Sequence, residues 1–386
     1  MKHISLLSVF VAAAGVATSA HTAPMGAYAN GIATHNIAVI QHSIMMTTFN
    51  PLDIAPAGTP STQCAGHFVC HTHDEKPVEN DKTVVDPSLY GKMPIYGEMK
   101  YYGEYGDDGS LKRKSGRSGG DEEESAPAET ERRFVGNLTV GWQHFDDRVE
   151  FDNVAKTDSK YDLISLNLVG GRNQLSGGVS EWGLFGGFIN SDEEAESLTM
   201  AENGGYIGLY KGYSLHGVGL SMGVNGGILR NKGEMPAGTD KFNNKWLGAA
   251  LNITYNIALT DSFSLQPGAY AGYTWIKSAN YTSVTGDKIE NDNLKMFEMS
   301  YALRAITHIG NNWYGILSGR YVMNMANDAN ITVAGAALPE LELDNDWEYG
   351  IMIEKNIDRF NIGVSINRRD GARTGWNGGV ILKYIF

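Results

Sequence analysis

The sequence has few basic residues, few cysteines and, beyond its N-terminal segment, no long apolar run. Its 386 residues include 2 Cys, and 31 Lys and Arg against 44 Asp and Glu, for a net charge of −13. Nucleic-acid affinity rests on Lys and Arg that neutralise phosphates, so we expect no nucleic-acid partner. No later apolar run reaches the ~20 residues of a transmembrane helix. This excludes spanning helices but not spanning β-strands, which need only ~9–11 residues, half of them facing a polar lumen.

The N-terminal segment has the pattern of a secretory signal peptide. Lys2 and His3 supply a basic start, "ISLLSVFVAAAGV" is an apolar core, and "ATSA" offers small residues for cleavage. The apolar core is shorter than a membrane-spanning helix requires. We therefore expect a cleaved signal peptide at residues 1–20, cut after Ala20, and export from the cytoplasm.

Glycine and aromatic residues are abundant, and the sequence alternates with a period of two. The chain has 47 Gly, 19 Tyr, 13 Phe and 7 Trp, which suits strands, tight turns and aromatic girdles at membrane interfaces. In "GVGLSMGVN", residues 217–225, every second residue is apolar and the residues between are small or polar. The same alternation recurs in "DWEYGIMIE" and "RFNIGVSINR". This pattern predicts β-strands with one apolar face.

The connections between strands distinguish a membrane barrel from a soluble β-sandwich. We predict twelve strands, at 134–145, 160–172, 180–190, 204–213, 217–229, 245–256, 262–275, 296–308, 311–323, 346–356, 359–368 and 376–386. Even-numbered strands end in short turns such as "SLHG" and "GNN". Odd-numbered strands mostly lead into long polar segments, at 146–159, 191–203, 230–244, 276–295 and 324–344. Such sorting is typical of outer-membrane barrels, and a sandwich has no reason for it.

These patterns predict an all-β fold with two regions after the signal peptide. Residues 134–386 are expected to form a 12-stranded antiparallel transmembrane β-barrel. Residues 21–133 are expected to form a largely irregular N-terminal extension. The Tyr-rich segment 94–109 is interpreted as part of that extension rather than as an additional pair of barrel strands.

The last strand and the polar strand faces supply candidate functional residues. The chain closes on "NGGVILKYIF", in which Val380, Leu382, Tyr384 and Phe386 are predicted to face lipid. A terminal aromatic after such alternation looks like the targeting signal that the outer-membrane assembly machinery reads. A few charges interrupt the small and polar faces, namely Glu298, Arg304, Arg320, Glu348 and Lys383. We expect these charges to face the lumen, either in paired networks that hold the wall or as a solvated pore lining.

Several segments together resemble the translocator domain of autotransporters, the type V secretion family. "SEWGLFGGFINSDEEAES" is similar to the family's third strand, "NGGYIGLYKGYSLHGVGLSMGVNGG" to the following hairpin, and "NGGVILKYIF" to the closing strand. The resemblance implies a barrel in the outer membrane of a Gram-negative bacterium, through whose wide, wet lumen an N-terminal passenger reaches the cell surface. It also implies contact with outer-membrane lipid, the assembly machinery and periplasmic chaperones, and a monomeric state.

The N-terminal region departs from the family's pattern. It shows no repeat that would build a β-helical passenger. Where the family carries a pore helix, just before the barrel, "SGGDEEESAPAETER" is rich in Gly, Ser and charge and indicates a flexible linker. Residues 31–50, "GIATHNIAVIQHSIMMTTFN", are moderately apolar and are a candidate short helix or strand inside the barrel.

The segment "QCAGHFVCHTHD" concentrates potential metal ligands. Its Cys64, His67, Cys70, His71 and His73 are weak candidates for Zn²⁺ or copper, because zinc sites usually have C-x₂₋₄-C pairs and the spacing here is C-x₅-C. Since the periplasm is oxidising, one small disulfide between Cys64 and Cys70 is the simplest interpretation. A metal site and free thiols are the alternatives, and no cofactor is expected.

Catalytic signals are weak. No His-Glu-x-x-His motif occurs. His144 with Asp146 and Asp147 is a candidate for activating water, but a polar loop start is the simpler interpretation, so we expect no enzyme. The sequence therefore predicts an outer-membrane barrel of the translocator type that conveys or displays a short N-terminal segment. The alternative is a stand-alone barrel, a passive pore or adhesin, with residues 24–133 as a plug or periplasmic arm.

Overall fold

The computed structural model describes residues 22–48, 104–105, 111–112, 136–151, 155–175, 178–195, 198–328, 331–339 and 342–386. The predicted cleavage site at Ala20 lies outside these residues. So do the potential ligands Cys64, His67, Cys70, His71 and His73, and the predicted linker.

Twelve long strands form one closed antiparallel sheet. They are β1 Asn137–Phe151, β2 Ala155–Leu175, β3 Gly178–Ala195, β4 Leu198–Leu215, β5 Val218–Met235, β6 Gly238–Tyr255, β7 Phe263–Ser278, β8 Leu294–Gly310, β9 Trp313–Asp328, β10 Asp346–Ile357, β11 Phe360–Gly371 and β12 Arg373–Ile385. Each strand pairs with the next along the chain, and β12 pairs with β1 from Arg373 opposite Val149 to Ile385 opposite Asn137. The predicted 12-stranded antiparallel barrel is confirmed, and closure leaves it without a free edge.

One end of the barrel carries tight turns, and we call it the turn end. The hairpin between β4 and β5 turns on His216 and Gly217, with φ of 48° and 83°, and that between β8 and β9 on Asn311 and Asn312, with φ of 49° and 61°. Two successive residues with positive φ form the type I′ turn, whose twist matches that of paired strands. The barrel also begins and finishes at this end, where the backbones of Gly136 and Phe386 are hydrogen-bonded at 3.0 Å.

At the opposite end, the loop end, the strands are longer than the sequence predicted. The expected loops 146–159, 191–203 and 230–244 are wrong, because strands run through most of them. β1 continues to Phe151 and β2 begins at Ala155, β3 continues to Ala195 and β4 begins at Leu198, and β5 and β6 are joined by a turn at 236–237. The outward residues of these extensions are polar, for example Arg148, Asn190 and Asn203, so the apolar face that marks the membrane-spanning part of each strand is lost there. Cross-strand ion pairs hold part of the extension instead, for example Arg148 to Asp158 at 2.8 Å.

Only two long connections remain at the loop end, and together they build a small second sheet. Its four short strands are Tyr281–Thr282, Lys288–Asn291, Ile331–Val333 and Ala336–Ala337. The first two belong to the connection between β7 and β8, and the others to the connection between β9 and β10. We call this unit the loop-end sheet.

The lumen contains one helix, α1, at Thr22–Thr48. Pro24 suits a first helical turn, and Pro51 disfavours helix at the residue before it, so the helix ends shortly before that proline. Its 27 residues span about 40 Å at ~1.5 Å per residue. Its described side chains are nearly all buried, as expected for a helix enclosed on every side. The predicted helix-or-strand at 31–50 is thus a helix, and it begins earlier than the sequence suggested.

Within the described residues, no helix combines the length and apolarity needed to cross a membrane.

The outward face of the barrel is a belt of exposed apolar side chains. Phe188 and Ile207 are 70% and 68% exposed, and Trp182, Trp313, Trp347 and Trp376 also point outward. Trp246, in contrast, lies inside the barrel and donates a hydrogen bond to Asn225 at 3.0 Å. The pair Glu104–Tyr105 and Leu111–Lys112 forms a separate two-stranded sheet, consistent with the interpretation of residues 94–109 as lying outside the barrel count.

Candidate functional site

The lumen is the candidate functional site, and α1 fills it. The inner face of the wall carries large buried aromatic residues, namely Phe145, Tyr161, Phe185, Tyr206, Tyr210, Phe242, Trp246 and Tyr270. They form one apolar core with Ala29, Ala33, Ile37, Ile40 and Ile44 of α1. The resemblance implied a wide, wet lumen, and the structure has a packed one instead. Sequence reasoning missed this core because a strand pattern does not say which of its two faces meets lipid.

Three polar residues of α1 fasten it to different parts of the wall. Asn36 is the first: its amide donates to Ser159 of β2 at 3.2 Å and to Glu193 of β3. The side-chain oxygen Oδ1 of Asn36 accepts a hydrogen bond from Arg373 of β12 at 3.3 Å. Since all of these groups are buried, the contacts give the helix a defined rotation in the lumen.

Gln41 is the second, and it faces β6 and β7. Its amide nitrogen donates to the backbone carbonyls of Ala249 and Tyr273, each at 3.2 Å, and its oxygen accepts from Thr274. Gly248 provides the space for this side chain, because a Cβ at that position would lie 2.0 Å from Gln41 Oε1.

His42 is the third, and it faces β7 and β8. Its Nδ1 contacts Glu298, one of the charges predicted to face the lumen. The imidazole ring also lies 4.1 Å from the ring of Tyr270. Both His42 and Glu298 are buried, so this contact joins α1 to the wall away from bulk water.

The direction of α1 follows from the contacts of its two ends. At Gly26, a Cβ would lie 3.1 Å from Asp240 and 3.2 Å from the Tyr281 hydroxyl, both at the loop end. Ala27 packs on the loop-end sheet in a cluster with Ile289, Ile331 and Val333. Near the other end of the helix, Met45 packs against Gly223, and Met46 lines a small cavity with Gln266. The N-terminal end of α1 therefore lies at the loop end, and the helix runs toward the turn end.

The wall itself contains a chain of ion pairs. Arg320 donates to Glu348 at 2.9 Å, Glu348 also accepts from Arg369 at 2.8 Å, and Arg369 reaches Asp147 at 2.7 Å. These residues belong to β9, β10, β11 and β1, and the last contact passes across β12 at Gly375. A Cβ at Gly375 would lie 2.7 Å from an Asp147 carboxylate oxygen, so only glycine leaves room for this contact.

The five predicted lumen charges all lie on inward-facing positions. Arg320 and Glu348 are in the ion-pair chain, Glu298 contacts α1, and Arg304 donates to the side-chain oxygen Oε1 of Gln266 at 3.5 Å. Lys383 is buried, with 4% exposure. Sequence reasoning missed Asp147, Arg369 and Arg373. Their positions on the polar strand faces were the available signal for an inward orientation. On β11, for example, Arg369 follows Ser365 and Asn367 on one face.

The predicted targeting residues lie on the outside of β12. Val380, Leu382 and Phe386 are 40%, 43% and 45% exposed. Tyr384 is half-buried between Phe360, at 5.0 Å between ring centroids, and Phe386, at 6.2 Å. This strip ends at the seam where β12 meets β1.

The proposed catalytic group does not assemble. His144 and Asp146 point out of the barrel, where His144 contacts Asp162 at 3.0 Å and Asp146 lies 3.9 Å from Lys160. Asp147 points inward to Arg369. Within the part of the chain that the structure describes, no group of three or more His, Cys, Asp or Glu side chains has the geometry to hold a metal ion.

A buried polar row that includes Glu202 lies beyond the apolar belt, near the loop end. Ser191, Glu202 and Asn231 are directly opposite one another on β3, β4 and β5, and all are buried. This row lies outside the membrane-spanning part of the strands, because the outward residues at its level, such as Asn190 and Asn203, are polar. Burial raises the pKa of Glu202 to about 8, since the charged carboxylate is poorly solvated there.

Comparisons with known proteins agree with this architecture. The family described as "Autotransporter beta-domain" matches residues 134–379. No curated protein sequence matches the chain significantly.

Solved structures of three autotransporter domains share the fold. The transport unit of AIDA-I from Escherichia coli has 15% identity and a TM-score of 0.55, over 68% of this chain and 93% of that one. The beta domain of Bordetella BrkA has 14% identity and a TM-score of 0.54, over 65% and 100%. The translocator domain of NalP from Neisseria meningitidis has 11% identity and a TM-score of 0.53, over 64% and 88%. The chain belongs to the autotransporter beta-domain family and is an outer-membrane translocator barrel of a Gram-negative bacterium.

Proposed function

We propose that the barrel conveys its own short N-terminal segment through the lumen and keeps α1 there, so that the N-terminal end of α1 reaches the cell surface. In such barrels the tight turns face the periplasm and the longer connections face outward. The turn end is therefore the periplasmic mouth and the loop end is the outer mouth. The observation that carries the proposal is the direction of α1, whose N-terminal end contacts the outer mouth.

The packing supports a helix that stays in place after transit. Asn36, Gln41 and His42 each make buried polar contacts with a different sector of the wall. A buried polar group that loses its partner costs roughly 1–3 kcal/mol. These contacts therefore oppose both sliding and rotation of α1 once it has reached this position.

The segment that connects α1 to β1 begins and ends at the same mouth of the barrel. α1 runs toward the periplasmic mouth, and β1 begins at the same mouth. The segment 49–135 thus starts and finishes on one side of the membrane. We propose that it stays in the periplasm, where Cys64 and Cys70 meet an oxidising environment and pair in a disulfide.

A pair of tagged variants tests this topology. One variant carries a short protease-cleavable epitope directly before Thr22, and the other carries it between Glu75 and Lys76. On intact cells we expect added protease to remove the first epitope and leave the second. After the outer membrane is permeabilised, both should be cleaved. Protection of the first epitope on intact cells, or cleavage of the second, would contradict the proposal.

The second candidate function is a stand-alone barrel with α1 as a permanent plug. The observation that favours it is the dense core between α1 and the wall, in which Ala33, Ile37 and Met45 are fully buried. A longer polar segment fused directly before Thr22 separates the two functions, because a conveying barrel would bring it to the cell surface and a fixed plug would not. In either function, removal of α1 would open the barrel.

The remaining parts of the proposal concern export and partners. We propose that a signal peptide is cleaved after Ala20, which would leave α1 close to the mature N-terminus. Periplasmic chaperones would carry the unfolded barrel, and the outer-membrane assembly machinery would read the strip that ends at Phe386. The folded barrel would act as a monomer in outer-membrane lipid, bind no nucleic acid, and have no catalytic role.

A further inference from the structure

A basic surface lies on the outside of β5, β6 and β7, just beyond the apolar belt on the outer side. On β5 the outward residues are apolar as far as Ile228, and the next is Arg230. On β6 they are apolar from Tyr255 to Leu247, and the next is Lys245. On β7, Trp275 is followed by Lys277. We call Arg230, Lys245, Lys277 and the neighbouring Lys241 the basic surface.

Like charges face each other in this surface. Lys245 is directly opposite Lys277, and Lys241 is directly opposite Lys232. Directly opposed side chains on neighbouring strands have Cβ atoms about 4.5–5.5 Å apart, and like charges at this distance destabilise the pair. Lys232 has Glu234 as an ion-pair partner. Among the described residues, none of the four residues of the basic surface forms an ion pair.

The opposite side of the barrel provides an internal comparison at the same height. On β1 and β2 the outward charges alternate in sign across the strands and form cross-strand pairs. Arg148 pairs with Asp158 at 2.8 Å, Glu150 with Lys156 at 2.8 Å, and Asp146 lies 3.9 Å from Lys160. In the same register, acidic residues would have neutralised the positive charges on β5 to β7, but the sequence has lysines at the opposed positions instead.

The surroundings limit the extent of the surface. On the β4 side, Arg230 is opposite Asn203. On the β8 side, the backbone of Lys295 is opposite Trp275 of β7 and Asp328 of β9. Asp240, next to Lys241, points into the barrel and accepts hydrogen bonds from Ser283 and the Val284 backbone. The chain has a net charge of −13, so this local excess of positive charge stands out, and it favours the binding of an anionic partner.

From this geometry we propose that the basic surface binds the phosphate groups of an outer-leaflet lipid. Cations at the level of lipid headgroups are attracted to anionic headgroups, and each strengthens binding by roughly fivefold. The acyl chains of the same lipid would lie on the apolar residues directly below, including Ile228 and Leu247. Strands are about 4.8 Å apart, so the three columns of the surface span roughly 10 Å, enough for one phosphorylated headgroup. The bound lipid would also relieve the repulsion between Lys245 and Lys277.

A matched pair of triple variants tests the proposal on the full chain folded in detergent micelles. The first variant is Arg230→Gln with Lys245→Gln and Lys277→Gln. The control is Arg148→Gln with Lys156→Gln and Lys160→Gln, which removes the same number of positive charges at the same height. Affinity for purified lipopolysaccharide, and for the same glycolipid stripped of its phosphates, is measured by titration. Heat-dependent gel mobility verifies that each variant is folded.

We expect the wild-type chain to bind the phosphorylated glycolipid and to lose most of that affinity when the phosphates are removed. The first triple variant should bind the phosphorylated form roughly tenfold or more weakly, since each charge contributes severalfold. The control should stay within about twofold of wild type, because its charges are already paired. Equal loss in the two variants, or equal binding of the dephosphorylated glycolipid, would overturn the proposal.

Discussion

At the scale of single residues, the wall of the barrel depends on which charges share a row. Asp147, Arg369, Glu348 and Arg320 lie at one level on neighbouring strands, and Gly375 leaves the gap through which Arg369 crosses β12. The Arg369 side chain also lies over the Phe145 ring, with 4.9 Å to its centroid. Removing one member of such a buried chain leaves an opposite charge without compensation.

We therefore expect Arg369→Ala to destabilise the folded barrel by about 3–5 kcal/mol. The measurement is urea-induced unfolding in lipid vesicles, followed by tryptophan fluorescence. Arg148→Ala is the control, because its pair with Asp158 is exposed, and it should leave the unfolding midpoint almost unchanged. A midpoint for Arg369→Ala that matches the control would show that the ion-pair chain is not a structural element.

Glu202 gives a second expectation at this scale, and its sign follows from the raised pKa. The folded barrel holds a proton on Glu202 up to a pH of about 8, whereas an unfolded glutamate loses it near its ordinary value of about 4.3. Between these values the folded state binds more protons, so its stability falls as the pH rises through this window.

Glu202→Gln should reduce this pH dependence, while Glu193, whose pKa burial also raises, should keep the remainder. We expect the variant to gain on the order of a few kcal/mol over wild type at pH 8 and little at pH 4. Urea unfolding at the two pH values provides the measurement. Glu194→Gln, at an exposed position near the same hairpin, is the matched control and should behave like wild type at both. A pH-independent gain would count against a buried, protonated Glu202.

At the scale of elements, α1 determines what the lumen can do. The sequence placed a helix or strand at residues 31–50, because the segment is apolar and uncharged, but it could not show that Ala29, Ile37 and Ile40 meet aromatic residues of the wall. The lengths of β1 to β6 could not be predicted from the sequence either. Their outer halves are held by cross-strand pairs such as Lys156 with Glu150, and pairing depends on register, which alternation alone does not give.

A charge introduced into the apolar core between α1 and the wall should displace α1 from the lumen without unfolding the barrel. Ile37 is fully buried, so Ile37→Glu places an unpaired carboxylate in an apolar site, which is costly. We expect α1 to become sensitive to protease in the detergent-folded protein while the barrel keeps its heat-dependent gel mobility. Ile37→Val, which costs only about 0.5–1.5 kcal/mol, should leave α1 protected. Protection of α1 in Ile37→Glu would mean that the helix is not held by this core.

At the scale of the whole molecule, closure and orientation were the most predictable features. Twelve strands, antiparallel order and both barrel ends at the turn end follow from alternation and from the sorting of short and long connections. The seam between β12 and β1 confirms that order, with Val380 opposite Trp142. The sequence suggested residues 31–50 as a helix or strand inside the barrel, but its contacts with the wall were not predictable, because α1 is separated in sequence from the barrel by residues 49–136.

The C-terminal strip gives an expectation about assembly. If Phe386 is read by the assembly machinery, Phe386→Ala should lower the amount of folded barrel in the outer membrane and increase the unfolded chain in the periplasm. The purified variant should still fold in detergent, because Phe386 is 45% exposed and adds little to the packing. Ile385→Ala is the neighbouring control, and we expect its assembly to resemble wild type. Equal assembly of all three chains would exclude Phe386 as part of the signal.

The central claim is that α1 closes the lumen of a barrel that would otherwise be a pore, and conductance in planar lipid bilayers tests it most directly. The full chain should insert with little or no steady current, whereas a chain lacking residues 22–48 should insert with large, stable current steps. Equal conductance of the two chains would contradict the account.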